Sequence, residues 1–214
     1  SGTGAGVEVT GTAGSGQDLQ HGVALFNGGD ISSGGGPVEV TGFGGNGNAS
    51  TAVLGSSGVG LFGAGTTITS GGAITINGTG GTGATDNFGV WVVDGAQILG
   101  APMADLSITG TGGSGMFGNH YGVVLSNPGS KIAVTDGNLS ITGVGGTSGF
   151  NNHGIRVQNN ALIESTGVGN ISLDGTGGAG AGIGVTLSDV FGTGAAVRAT
   201  GSGDISITGS HFSP

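Results

Sequence analysis

Apolar and polar residues alternate in short bursts along this chain, and the bursts recur. In Leu106-Ser107-Ile108-Thr109 the apolar residues fall on one face and the hydroxyls on the other, the period-2 pattern of a half-buried strand. The same phrase opens VEVTGTAG at Val7, VEVTGFGG at Val38, ITINGTGG at Ile74, LSITGTGG at Leu106, LSITGVGG at Leu139, ISLDGTGG at Ile171 and ISITGS at Ile205. Aligned on their first glycine (Gly11, Gly42, Gly78, Gly110, Gly143, Gly175, Gly209), the copies are separated by 31, 36, 32, 33, 32 and 34 residues. A fixed period in this range is the signature of stacked repeats.

Two further strand signals follow each phrase. The second comes after a glycine, as in Gly22-Val23-Ala24-Leu25, Gly89-Val90-Trp91-Val92, Gly122-Val123-Val124-Leu125, Gly154-Ile155-Arg156-Val157 and Gly184-Val185-Thr186-Leu187. The third is looser and carries Ile31, Ile68, Ile98, Ile132, Ile163 and Val197. No window sustains a 3.6-residue apolar period, and the frequent glycines would penalise any helix. The pattern predicts an all-β fold, a right-handed parallel β-helix (β-solenoid) with three short strands in each of about six coils of ~33 residues. A single domain spans residues 1–214, with coils starting near 7, 38, 74, 106, 139 and 171 and a partial seventh strand at 205–209. The β-branched and aliphatic residues of each phrase are the expected interior columns. Asn27, Asp94, Asn127, Asn159 and Asp189, after the second strand, suit left-handed or Asx turns and are expected to stack as a polar ladder. The glycines after the first strand are expected to supply positive φ and close stacking of coils.

Composition changes the picture little, but it excludes much. Gly and Pro are 56 and 4 of 214 residues, a fraction typical of low-complexity chains when no period is present. Here the register of the apolar residues argues for a fold. A net charge of −9 with three basic residues (Lys131, Arg156, Arg198) is unsuited to phosphate backbones and to anionic membrane surfaces, so neither nucleic acid nor membrane insertion is expected. There is no cysteine, and the longest apolar run, Val90 to Val93, is far short of a membrane span. The chain opens at Ser1 with no signal peptide, and reads as a mature or excised segment of something larger.

The I-S-I-T-G-x-G-G unit, followed by G-V-x-L and an A-x-I-x-S-type third strand, resembles the glycine-rich repeats of large secreted bacterial surface proteins. These are the filamentous-haemagglutinin-like and autotransporter-passenger-like β-helical adhesins. The resemblance covers the whole chain and implies a right-handed β-helix, an extracellular or cell-surface location, and a scaffold or adhesive role. The motif is a folding motif, so it carries over no functional residue.

Candidate chemistry lies where the copies differ. Phe62 and Trp91 are expected side by side on the outward column of the second strand with Arg156 further along, a candidate interaction surface for surface glycans or another chain. The competing expectation is that Met116, Phe117, Tyr121 or Phe150 folds over them. His120 and His153 lie in the same loop of adjacent coils, with His21 further up, and stacked imidazoles would share a metal. No carboxylate recurs beside them, so no metal or other cofactor is expected. The outward T-x-T-like pairs of the first strand suggest an ice-binding array, broken by Glu8, Glu39 and Asp174. Asp94 with Asp105, or Asp136 beside Lys131, come nearest to a catalytic pair, and each reads better as turn chemistry, so no enzyme is expected. The solenoid ends are the expected contacts with further repeats or other copies, with His211 to Pro214 as a candidate cover for the last coil.

Overall fold

The structure is a computed structural model and describes residues 4–16, 19–47, 55–189 and 194–211. It is a β-solenoid of three parallel sheets, with no helix among the described residues. The first sheet contains Val7–Thr12, Val38–Phe43, Ile74–Thr79, Leu106–Thr111, Leu139–Val144, Ile171–Gly177 and Ile205–His211, stacked in chain order. The second contains Val23–Phe26, Val59–Phe62, Val90–Val93, Val123–Ser126, Ile155–Gln158 and Val185–Ser188. The third contains Asp30–Ser33, Thr67–Ser70, Gln97–Leu99, Lys131–Val134, Leu162–Ser165 and Ala196–Ala199. A short fourth ladder pairs Thr82–Gly83 with Ser114–Gly115. At about 4.8 Å per rung, the six rises of the first sheet give a rod roughly 29 Å long.

Register follows the repeated phrase residue for residue, Leu106 against Ile74 and Leu139, Ile108 against Ile76 and Ile141. This puts like on like in the interior: Ile68, Ile98, Ile132 and Ile163 form one buried column, and Val59, Val90 and Val123 another. Such stacks bury β-branched side chains only against their neighbours in adjacent coils, so a coil is stabilised by the coils on either side of it. Val59 and Leu61, in Gly58-Val59-Gly60-Leu61, complete the second-sheet columns and are fully buried. In the last strand Ile205 and Ile207 stay 42% and 47% exposed. His211 belongs to that strand and is exposed, while Phe212, Ser213 and Pro214 lie outside the described residues.

The first glycine of each phrase closes a corner. A Cβ added at Gly110 would lie 2.2 Å from the carbonyl oxygen of Gly122, the glycine that opens the second strand, and at Gly143 it would lie 2.3 Å from that of Gly154. The expectation of positive φ for the glycines just after the first strand is corrected: Gly80, Gly81, Gly112 and Gly113 do not adopt it. Their requirement is steric, because successive coils approach too closely there for any side chain; a Cβ at Gly113 would meet the Gly81 carbonyl oxygen at 1.9 Å. Left-handed geometry falls instead to Asn27, Asp94, Asn127 and Asn159, with φ between 51° and 73°. The expected ladder links three of them, Asn127 Nδ2 donating to Asp94 Oδ1 and Asn159 Nδ2 to Asn127 Oδ1.

A second polar staircase precedes the first sheet. The backbone N–H groups of Asn138, Asn170 and Asp204 donate to the side-chain oxygens of Asp105, Asn138 and Asn170, each one coil earlier.

Candidate functional site

The outward side of the second sheet carries the aromatic residues, and ladder register decides which of them meet. Trp91 pairs with Gly60 and Val124, and Phe62 with Phe26 and Val93, so Phe62 is not on the Trp91 column as the sequence suggested. The two rings touch all the same, with centroids 4.9 Å apart and nearly perpendicular. Gly60 makes this possible: with no side chain at that position, the Phe62 ring folds back over it, where an added Cβ would lie 2.4 Å from the ring.

A second column feeds the same surface. The residues directly before the glycine of the second strand are His21, Ser57, Phe88, Tyr121, His153 and Ile183, linked coil to coil by backbone hydrogen bonds. Phe88 stacks on Tyr121 at 5.3 Å and Tyr121 on His153 at 5.1 Å, while Phe88 meets Trp91 edge-on at 5.0 Å. With Phe26 stacked on Phe62, a continuous aromatic strip therefore runs along the rod axis across five coils. Of the four residues suggested as cover for Trp91, Tyr121 is buried in this strip, whereas Met116, Phe117 and Phe150 remain more than half exposed. Trp91 itself is half-buried.

Beside Trp91 lies an open depression of about 260 Å³ spanning three coils. Its lining includes the half-buried Trp91, the buried Phe88 and Tyr121, and the polar Asp86, Asn119 and Arg156. Arg156 crosses the Tyr121 ring, with its guanidinium carbon 5.3 Å from the centroid, and Nη1 donates to the Tyr121 hydroxyl at 2.6 Å. That hydroxyl donates to Asn119 Oδ1, and Asn151 Nδ2 bridges Asn119 Oδ1 and the hydroxyl. Arg156 Nε is buried without a hydrogen-bond partner, and the ion pair found among the described residues is Lys131–Glu164, not one to Arg156. Burial raises the Asp86 carboxyl above its ordinary value, partly offset by hydrogen bonds from Asn119 and Thr85.

The histidines fall into two adjacent columns. His153 and His21 belong to the aromatic one, and His120 lies one position earlier, with Ser56, Asn87 and Asn152 in neighbouring coils. There the side chains cap backbone N–H groups across coils: Ser56 N–H donates to Asn87 Oδ1, Asn87 N–H to His120 Nδ1, and His120 N–H to Asn152 Oδ1. His21 Nδ1 accepts from Ser57 N–H and His153 Nδ1 from Ile183 N–H. Burial lowers all three imidazoles to about 4, with the Arg156 charge adding to the effect at His153, so they are neutral at pH 7. Each is an acceptor in the backbone ladder, and no group of three His, Cys, Asp or Glu residues suited to a metal occurs among the described residues.

Asp94 and Asp105 are rungs of the two staircases, and Asp136 accepts from Val168 N–H. Lys131, expected beside Asp136, is paired with Glu164 on the next coil. On the outward column of the first sheet, Thr10, Thr41, Asn77, Thr109, Thr142, Asp174 and Thr208 align as read from the sequence, and Phe43 and Val144 join the acids in interrupting that face.

No family model, no curated protein and no solved structure matches the chain.

Proposed function

We propose that the chain is a non-enzymatic structural or adhesive repeat module of the cell exterior, either a segment of a giant surface adhesin or a subunit of an extracellular fibre. The observation that carries this reading is the use of the polar repeat positions: Asp94, Asp105, Asp136, Asn138 and Asn170 each serve as a hydrogen-bonded rung between coils. A rod built this way has a length set by its repeat number. Beyond Ile171–Gly177, Ile205 and Ile207 form a partly exposed apolar rung, with no described strand on its other side, on which further coils, of the same chain or another copy, would continue the ladder. Electron microscopy of the purified chain over a concentration series tests it. Filaments growing by one rod length are expected of a fibre subunit, and single rods of about 29 Å of an adhesin segment. Release of reducing ends from any polysaccharide would overturn the non-enzymatic reading.

A second reading, a carbohydrate-binding module, is favoured by the half-buried Trp91 at the edge of the depression.

A further inference from the structure

The depression beside Trp91 sets the Arg156 guanidinium, whose Nε is buried without a hydrogen-bond partner, beside a row of side chains, Asp86, Asn119 and Asn151, hydrogen-bonded from coil to coil. Its polar members stand at three levels: Asp86 on the coil of Trp91, Asn119 on the next, and Arg156 on the one after. All are fixed from below, Asp86 and Asn119 by left-handed backbone at φ 59° and 61°, Arg156 by its strand and by the Tyr121 hydroxyl. The site is therefore rigid before any ligand arrives, which lowers the entropic cost of binding.

We infer that this depression binds one ring of a neutral polysaccharide, with Trp91 against the ring and Asp86, Asn119 and Arg156 bonding its hydroxyls. The inference rests on the carbohydrate-binding reading and adds the ligand class and the residues that select it.

Three observations point to that class. The volume, about 260 Å³, lies below the roughly 300–1,000 Å³ usual for drug-sized ligands, and the site is open, so it suits one unit of a chain that continues outside it. The lining combines the half-buried Trp91 with both donors and acceptors, which matches a ring with polarised C–H groups on its face and hydroxyls around its edge. The formal charges of Asp86 and Arg156 cancel, and hydrogen bonds from charged groups to neutral hydroxyls are among the stronger ones available. An acidic polysaccharide would instead place anions beside Asp86 on a body of net charge −9. The aromatic strip continues from Trp91 over Phe62 to Phe26, which is 50% exposed, so a longer glycan would run parallel to the rod axis.

Trp91 is the sole tryptophan and reports directly on the site. The test is affinity electrophoresis of the full chain in gels containing mixed-linkage β-glucan, xylan or galactomannan, with alginate as the acidic arm, alongside titration of Trp91 fluorescence. At least one neutral polymer is expected to retard the protein and shift its emission. Arg156→Gln should weaken that binding at least tenfold while leaving the thermal midpoint within a few degrees. Tyr121→Phe keeps the stack on Phe88 and His153 but frees Arg156, and should weaken it several-fold; it serves as the second variant should Arg156→Gln not fold. Binding unchanged in both variants places the glycan elsewhere and overturns the site. Retardation by alginate alone, lost in the variants, overturns the neutral class but leaves carbohydrate binding standing. No retardation and no emission change with any polymer overturns both, and leaves the rod intact as a scaffold.

Discussion

Glycine at the corners acts by what it lacks. Gly110 has no room for a single added carbon, because the Gly122 carbonyl stands 2.2 Å from where it would go, whereas at Gly209 the nearest atom is 3.5 Å away. Gly110→Ala is therefore expected to unfold the rod locally or wholly, and Gly209→Ala to leave it within about 1 kcal/mol of the parent, as read by chemical denaturation. The histidines give a second residue-scale test. In the unfolded chain an imidazole titrates near 6.5, and in the fold His21, His120 and His153 titrate near 4. The unfolded state thus binds more protons between these values, so stability is full above pH 6.5 and falls as pH drops towards 4. Thermal midpoints over that range should decline. His120→Asn, which copies Asn87 and Asn152 and keeps an acceptor for the Asn87 N–H, should flatten the decline.

At the scale of the strand, a rung is worth what stacks on both sides of it. Ile141 is fully buried between Ile108 and Leu173, while Ile207 is 47% exposed. Ile141→Ala should cost about 2–5 kcal/mol and Ile207→Ala about 1 kcal/mol or less, measured by denaturant midpoints. The strands themselves were legible in the chain because their signal is local: period-2 alternation with β-branched interiors, repeated in phase. What escaped is what register adds. Phe62 looks like the partner of Trp91 by count from its glycine, but the strand Val59–Phe62 pairs Gly60 with Trp91, and Phe62 arrives by folding back. Asp105, Asn138 and Asn170 look like ordinary turn residues, because nothing local says that their side chains accept from the next coil. The same holds for Tyr121 and Phe88: each precedes a glycine in its own repeat, and only stacking makes them a strip with Trp91.

For the whole molecule, the sequence period and the structure agree on a body that grows in one dimension, and the candidate site is a local departure from that uniformity. The depression depends on three successive coils, Asp86 on one, Tyr121 on the next and Arg156 on the third. Removing the middle coil would delete Tyr121 while bringing Asp105 directly before Leu139, a junction identical in type to those of the native chain. Length and site can therefore be separated.

The most direct measurement is small-angle X-ray scattering on a series with residues 106–138 deleted, native and duplicated. The account predicts that the maximum dimension changes by about 4.8 Å at each step while the cross-sectional radius stays constant. A cross-section that changes with the number of copies, or a length that does not, would contradict the stacked-coil account.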